Sequence, residues 1–216
     1  MKAKKPALDT STIRLVAAAA LIFLPAVLHA QSNELSATVG VAFSPDAKGF
    51  LTCGEAIICG IPPGTIGNIS YGFGFSWQAT YAHRLANFHA ASLYLELPAV
   101  GSPSRTGPGP FPAPSEFSTI FFTPSAQFKF LPDAWVSPFA SAGGGFGHFR
   151  TGSSSANSGA VQLGGGVDFR TPLRVLGVRA ELRDFITGRP NMAAFNGFTS
   201  NHFQHMFAGA GVVVKF

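Results

Sequence analysis

Residues 69–81 read ISYGFGFSWQATY, and a bulky apolar or aromatic side chain stands at almost every second position. Because successive side chains of a β-strand point to opposite faces, this period of two predicts a strand rather than a helix. One face would be aromatic and the other small and polar. The aromatic face of such a strand must be covered, either by the core of a soluble β-sandwich or by lipid.

The same two-faced pattern recurs along the chain. It is found in residues 34–43, 91–97, 120–130, 138–149, 161–169, 178–185 and 206–216. Pro124 makes one of these strands irregular, and in the glycine-rich 138–149 the pattern leaves open which face is apolar. The intervening loops alternate between long and short, as they do in an up-and-down barrel. The long loops are about 44–68, 99–116 and 186–201, the short ones 83–88, 131–136 and 171–177, and 151–158 is of intermediate length. We therefore predict an all-β fold, an eight-stranded antiparallel transmembrane β-barrel.

The first 30 residues predict an export signal. Lys2, Lys4, Lys5 and Arg14 precede an uncharged run from Leu15 to Ala30, which is the layout of a cleaved signal peptide. The alternative is an anchoring helix, but the run is short for a membrane span and Pro25 interrupts it. We expect residues 1–30 to be a signal peptide and residues 31–216 to form the barrel domain.

Composition supports a membrane location and argues against nucleic acid as a partner. The formal charge of the whole chain is +5, but residues 31–216 hold 11 basic and 9 acidic side chains, which is too balanced for an electrostatic footprint on phosphates. The chain has 22 Phe and only 12% charged residues. It contains no apolar run long enough for a membrane helix after residue 30, so lipid contact through strands is the consistent interpretation.

Aromatic side chains mark the expected height of the membrane. Tyr71 and Tyr81 are ten residues apart on one face. At about 3.3 Å per residue and a tilt near 40°, this spacing corresponds to roughly 25 Å along the membrane normal. We predict that these two residues and Trp77, between them, belong to an aromatic belt at the lipid surface.

The signal, the eight alternating strands, the segments FFTPSAQFKF and VRAELRDF, and the terminal Phe216 after Val212 and Val214 resemble the outer-membrane-protein β-barrel family of small eight-stranded bacterial barrels. The resemblance implies the outer membrane of a Gram-negative-type envelope, outer-membrane lipid as a partner, and insertion by the barrel-assembly machinery. It also implies that Phe216 is the assembly signal and closes the barrel against the first strand. An ordinary buried terminal strand is the alternative.

Charged side chains fall on the inward face of the predicted strands. These charged inward residues are Glu34, Glu96, Lys129, Asp168, Arg170, Arg179, Glu181, Arg183 and Lys215. Charges removed from water require partners, and eight strands enclose only enough space for side chains. We therefore expect a polar, charge-paired and plugged lumen, with Asp168 and Arg170 beside Arg179 and Glu181, and Lys215 near Glu34. The alternative is a narrow pore.

Motifs for chemistry are scarce. Cys53 and Cys59 are the two cysteines of the chain, and after export we expect them to form a disulfide in the first long loop, with free thiols as the alternative. His202 and His205 would face opposite sides of a strand, which argues against a shared metal. The glycine-rich segments lack the phosphate-loop lysine and the dinucleotide-binding spacing. We expect no cofactor and no catalytic or metal site.

Two other functions remain open beside a non-enzymatic barrel with a structural or surface-interaction role. A lipid-modifying outer-membrane enzyme could use a Ser/His/acid set, for which Ser200, His202 and Asp184 are the candidates. A carrier for an apolar ligand is the other, and a charged lumen argues against it. The long external loops name no partner.

Overall fold

The computed structural model of the chain describes residues 32–45, 47–50, 66–69, 73–105, 117–151, 154–173, 175–191 and 201–216. The predicted signal peptide therefore lies outside the described residues. No helix among the described segments is long and apolar enough to cross a membrane.

The described segments form eleven strands. They are β1 (Asn33–Phe43), β2 (Ala47–Phe50), β3 (Ile66–Ile69), β4 (Gly74–Phe88), β5 (Ala91–Arg105), β6 (Phe117–Phe122), β7 (Ser125–Phe130), β8 (Val136–Thr151), β9 (Ser154–Arg170), β10 (Leu176–Gly188) and β11 (His202–Lys215).

Nine of these strands close into one antiparallel sheet. Every strand of this sheet has a partner on both sides, and β1 pairs with both β4 and β11. The strands β6 and β7 are two halves of one barrel strand, since both pair with β5 on one side and β8 on the other. The protein is therefore a closed eight-stranded β-barrel, as predicted. The strands β2 and β3 form a separate hairpin.

The chain end itself completes the barrel. The backbone N–H of Phe216 donates to the carbonyl of Asn33, and the N–H of Asn33 donates to the carbonyl of Phe216, both at 2.9 Å. We call this end of the barrel the turn rim, formed by both ends of the barrel sequence (Ser32 and Phe216) and by the turn residues 89–90, 131–135, 171–173 and 175. The opposite end, where β1, β5 and β10 finish, is called the loop rim.

Several predicted boundaries were wrong. Ile69 belongs to β3 rather than to the strand that begins at Gly74, and residues 83–88 continue β4 instead of forming a turn. The strand β5 continues to Arg105, far into the predicted loop. Only two residues separate β8 from β9, where an intermediate loop was expected. Cross-strand pairing extended these strands past the point at which their apolar alternation fades, because pairing satisfies the backbone whatever the side chain is.

Glycines allow β1 and β11 to approach each other closely. A Cβ on Gly211 would lie within 1.9 Å of the Ala37 carbonyl oxygen, and one on Gly40 within 2.0 Å of the Ala208 carbonyl oxygen. The strong coiling of a narrow barrel brings neighbouring backbones over these positions. These glycines are therefore a requirement of the closure.

Candidate functional site: the filled lumen

The parity of the strands separates two surfaces. On β4, Ser76, Gln78 and Thr80 are 1–2% exposed and point inward, whereas Phe75 is 56% exposed and points outward. The same division holds around the barrel, where the outward side chains are almost all apolar. The lumen therefore holds the side chains that could carry chemistry.

Lys129 is the centre of the charged groups nearest the turn rim. Its Nζ donates to Glu34 Oε1 at 2.7 Å and lies 2.7 Å from Asp168 Oδ2. Arg179 reinforces the same carboxylates, since its Nε and Nη2 donate to the two oxygens of Asp168 at 2.7 and 2.9 Å. Lys215, at the rim, lies 3.8 Å from Glu34. The bidentate pair of Arg179 and Asp168 is a strong charge-assisted contact.

Arg183 forms the centre of a second set, farther from the turn rim. Its Nε donates to Glu181 Oε2 at 2.9 Å, and its Nη1 donates to Glu96 Oε2 at 3.2 Å. Thr38 and Gln78 donate to the other Glu181 oxygen at 3.0 and 2.8 Å. Both oxygens of Glu181 therefore accept hydrogen bonds, one from the Arg183 guanidinium and the other from two polar side chains.

The two sets are continuous. Arg179 Nη1 lies 3.8 Å from Glu96 Oε1 and so links them. We call the resulting cluster the buried ion network, and its members are Glu34, Glu96, Lys129, Asp168, Arg179, Glu181 and Arg183. Each of these side chains is at most 6% exposed. Four acids face three bases, and Lys215 at the rim supplies the remaining positive charge.

Aromatic rings cover two cations of the network. Lys129 Nζ lies 4.9 Å from the centre of the Tyr94 ring, and the Arg179 guanidinium lies 4.6 Å from the centre of the Phe139 ring. Such cation–π contacts add to the attraction of the carboxylates. Arg170 is outside the network, because its side chain is 32% exposed and it pairs at 3.4 Å with the exposed Asp133.

The half of the lumen nearest the loop rim is apolar, which was not predicted. We call this cluster the aromatic plug, and its members are Val100, Phe117, Phe121, Phe149, Ala160, Phe185, Phe203 and Phe207. The rings of Phe121 and Phe185 are stacked with their centres 4.5 Å apart. The alternation of the sequence places Phe121, Phe185 and Phe207 on the inward face, so the sequence does carry a signal for this plug. The lumen is thus mainly charged and polar near the turn rim and mainly aromatic near the loop rim.

A small polar group adjoins the plug. His205 Nδ1 lies 3.2 Å from Ser44 Oγ, and Arg105 Nη2 donates to the same hydroxyl at 3.3 Å. The rings of Phe121 and Phe149 lie 5.5 Å from the imidazole ring of His205. Arg105 was not predicted to face inward. The pairing of β5 with β6 is irregular between Ser102 and Arg105. Two exposed residues, rather than one, lie between these two inward side chains, so the alternation is inverted at the end of β5.

The remaining predicted residues have mixed outcomes. Trp77 and Tyr81 lie on the outer face, with 37% and 39% of their surfaces exposed. Tyr71, Cys53 and Cys59 lie outside the described residues, so their roles stay predictions. Within the described part of the chain, no group of three or more His, Cys, Asp or Glu side chains is arranged to hold a metal ion.

No protein-family profile matches the sequence, and no curated protein matches it. Solved structures do match. Neisserial surface protein A (NspA) aligns with a TM-score of 0.53 and 18% identity over 85% of this chain and 97% of that chain. Ail, the attachment invasion locus protein of Yersinia pestis, aligns with a TM-score of 0.42 and 15% identity over 84% and 99%. The outer membrane enzyme PagL aligns with a TM-score of 0.41 and 14% identity over 83% and 97%.

The closed eight-stranded sheet, the apolar outer wall and the likeness to NspA agree. At this level of identity the likeness establishes the architecture alone. The chain has the fold of the small eight-stranded outer-membrane β-barrels.

Proposed function

We propose that this protein is a non-enzymatic outer-membrane barrel that neither conducts nor carries a ligand, and that it acts through its external loops. The observation that supports this most strongly is the filled lumen. The buried ion network occupies the half near the turn rim, and the aromatic plug occupies the other half. Three of the four connections at the loop rim are long, whereas those at the turn rim are short, and this asymmetry supports a periplasmic location of the turn rim.

The packing argues against a pore and against a carrier. A narrow polar pore needs a continuous hydrated path, but Gln78, Gln127 and Gln162 are at most 2% exposed and the plug beyond them is apolar. A carrier for an apolar ligand needs an apolar cavity. Here the protein's own phenylalanine rings fill the apolar part of the lumen.

The geometry also argues against the candidate lipid-modifying set. His202 pairs with Gly188, whereas Asp184 lies four residues farther along β10, which is about 13 Å at 3.3 Å per residue. Ser200 lies outside the described residues. The pair of Ser44 and His205 lacks the acid that would orient the imidazole, because His205 Nε2 has no hydrogen-bond partner among the described residues.

Conductance across a planar bilayer tests the central claim. The purified, refolded protein should give no steady current. Replacing Phe121 and Phe185 with Ala removes the stacked pair of the plug, and this double variant should conduct more than the parent. A steady current from the parent would overturn the proposal. Release of fatty acid or free sugar from outer-membrane lipid by the parent protein would do the same for its non-enzymatic part.

The position of the first long loop can be tested in intact cells. Cys53 and Cys59 should react with a membrane-impermeant maleimide only after treatment with a reductant, since a disulfide blocks both thiols. Labelling without the reductant would contradict the disulfide. No labelling after reduction would contradict the external location of this loop.

A further inference from the structure

The turn rim carries more exposed apolar surface than a water-facing set of turns needs. Phe88, Leu131, Trp135 and Leu173 are 56%, 53%, 69% and 62% exposed. They come from the three turns of this rim or from the strand ends beside them. Single exposed apolar residues are common, but several on one rim indicate a contact surface.

The turns form one continuous belt rather than separate flexible tips. Leu131 N donates to the Ala90 carbonyl at 2.8 Å, and Arg170 N donates to the Trp135 carbonyl at 2.9 Å. Lys215 N donates to the Val175 carbonyl at 2.8 Å. These bonds join each short turn to the next turn or strand end, and the pairing of Asn33 with Phe216 completes the belt. The apolar side chains are therefore held on a fixed ring.

The height of the apolar wall decides what this ring meets. On β8 the outward residues are apolar or glycine from Val136 to Phe146, and the next outward residue is His148, which hydrogen-bonds Asn157 of β9 at 2.7 Å. On β9 the corresponding apolar run is from Phe169 to Gly159. The first and last residues of each run are ten positions apart, which is about 25 Å along the membrane normal at a tilt near 40°.

That height equals the full apolar band of a barrel, so the band ends at the last residues of the strands. Phe130, Val136 and Phe169 are outward residues at the turn-rim ends of their strands. The residues beyond them, including Leu131 and Trp135, must then lie in the headgroup layer and not in water. Phe88 extends the same surface, since it pairs with Ala91, which pairs with Phe130.

The chemistry of the ring suits a phospholipid surface. Tryptophan is favoured at the membrane interface, where its ring meets acyl chains and its N–H meets polar groups. Arg170 and the exposed Asp133 lie between the apolar side chains, which is the mixed character of an interfacial surface. A periplasmic protein partner would need no continuity with the lipid-facing wall, and the structure shows that continuity.

We infer that the turn rim is an interfacial membrane-binding surface, and that Phe88, Leu131, Trp135 and Leu173 anchor the barrel in the phospholipid headgroup layer of the periplasmic leaflet. This inference rests on the proposed membrane location. It differs from the predicted belt of Tyr71, Trp77 and Tyr81, because three of the anchors lie on turns and Phe88 is the last residue of β4 beside a turn.

The chain offers an internal control, since Trp77 and Trp135 are its two tryptophans. Trp77 lies four residues along β4 from Tyr81 toward the loop rim, or about 10 Å deeper in the wall. Trp77→Phe leaves Trp135 as the reporter, and Trp135→Phe leaves Trp77. Each variant is refolded into phosphatidylcholine vesicles whose acyl chains carry bromine near the headgroup or near the methyl end.

Trp135 should be quenched more by the shallow bromine than by the deep bromine, and Trp77 should show the opposite order. Quenching of Trp77 alone, with Trp135 emitting as in water and accessible to aqueous iodide, would overturn the inference while leaving the membrane location intact. If neither tryptophan is quenched, the proposed membrane location itself fails.

Discussion

Replacing Lys129 with Met should be among the most costly single changes in the barrel. Lys129 is 0% exposed and contacts both Glu34 and Asp168. The substitution keeps most of the volume but leaves the carboxylates of Glu34 and Asp168 with only Arg179 and, at the rim, Lys215 beside them. Breaking a buried pair in this way costs about 3 to 5 kcal/mol, because one charge remains uncompensated.

Arg170→Met provides the matched control. Arg170 also pairs with an acid, but Asp133 is 88% exposed and the pair lies in solvent at the turn rim. Exposed pairs contribute about 0 to 1 kcal/mol. The two variants remove the same charge by the same substitution, so their difference isolates the effect of burial.

The measurement is urea unfolding of the refolded protein in lipid vesicles, followed by tryptophan fluorescence and by gel mobility without boiling. A third variant adds Glu34→Gln to Lys129→Met. Because it removes the excess negative charge, the double variant should be more stable than Lys129→Met alone. Equal losses for Lys129→Met and Arg170→Met, or no recovery in the double variant, would refute the buried ion network as a unit.

Three further changes test other parts of the structure. Gly211→Ala should reduce the folded yield strongly, because its Cβ would meet backbone at 1.9 Å, whereas Gly159→Ala, with nothing within 4 Å, should leave the yield unchanged. Similar yields for the two variants would contradict the close approach of β11 to β1. Deleting Phe216 should reduce the heat-modifiable protein recovered from outer membranes by more than its burial, worth roughly 1.5 to 3 kcal/mol, explains, while Lys215→Gln should leave recovery nearly intact; equal recovery would make the terminus an ordinary strand end. Asp184→Asn should raise stability in urea by up to about 1 kcal/mol, because an acid on the lipid-facing wall is unfavourable near the interface; a loss would show that its carboxylate has a partner.

Much of the fold could be predicted because alternation is local. In each strand the alternation of apolar and polar residues indicates which side chains face lipid. The sequence alone therefore determined the eight strands, the outward wall and the inward position of residues such as Glu181 and Lys129. Loops and strand ends were less predictable. The bounds of β4 and β5 were set by pairing with neighbours, and this pairing leaves no apolar pattern of its own.

The contacts inside the lumen required the tertiary structure. Lys129 and Glu34 are 95 residues apart in sequence, and their contact depends on the register and stagger of every strand between them around a closed ring. The irregularity before Arg105 turned that side chain inward, whereas the break between Phe122 and Ser125 falls at Pro124, where the sequence predicted an irregular strand. The face to which a side chain points follows from the two-residue repeat of a β-strand, so it can be read from the sequence. The stagger of the whole barrel is fixed only when the last strand meets the first, so the contacts of the ion network and the aromatic plug were decided by closure.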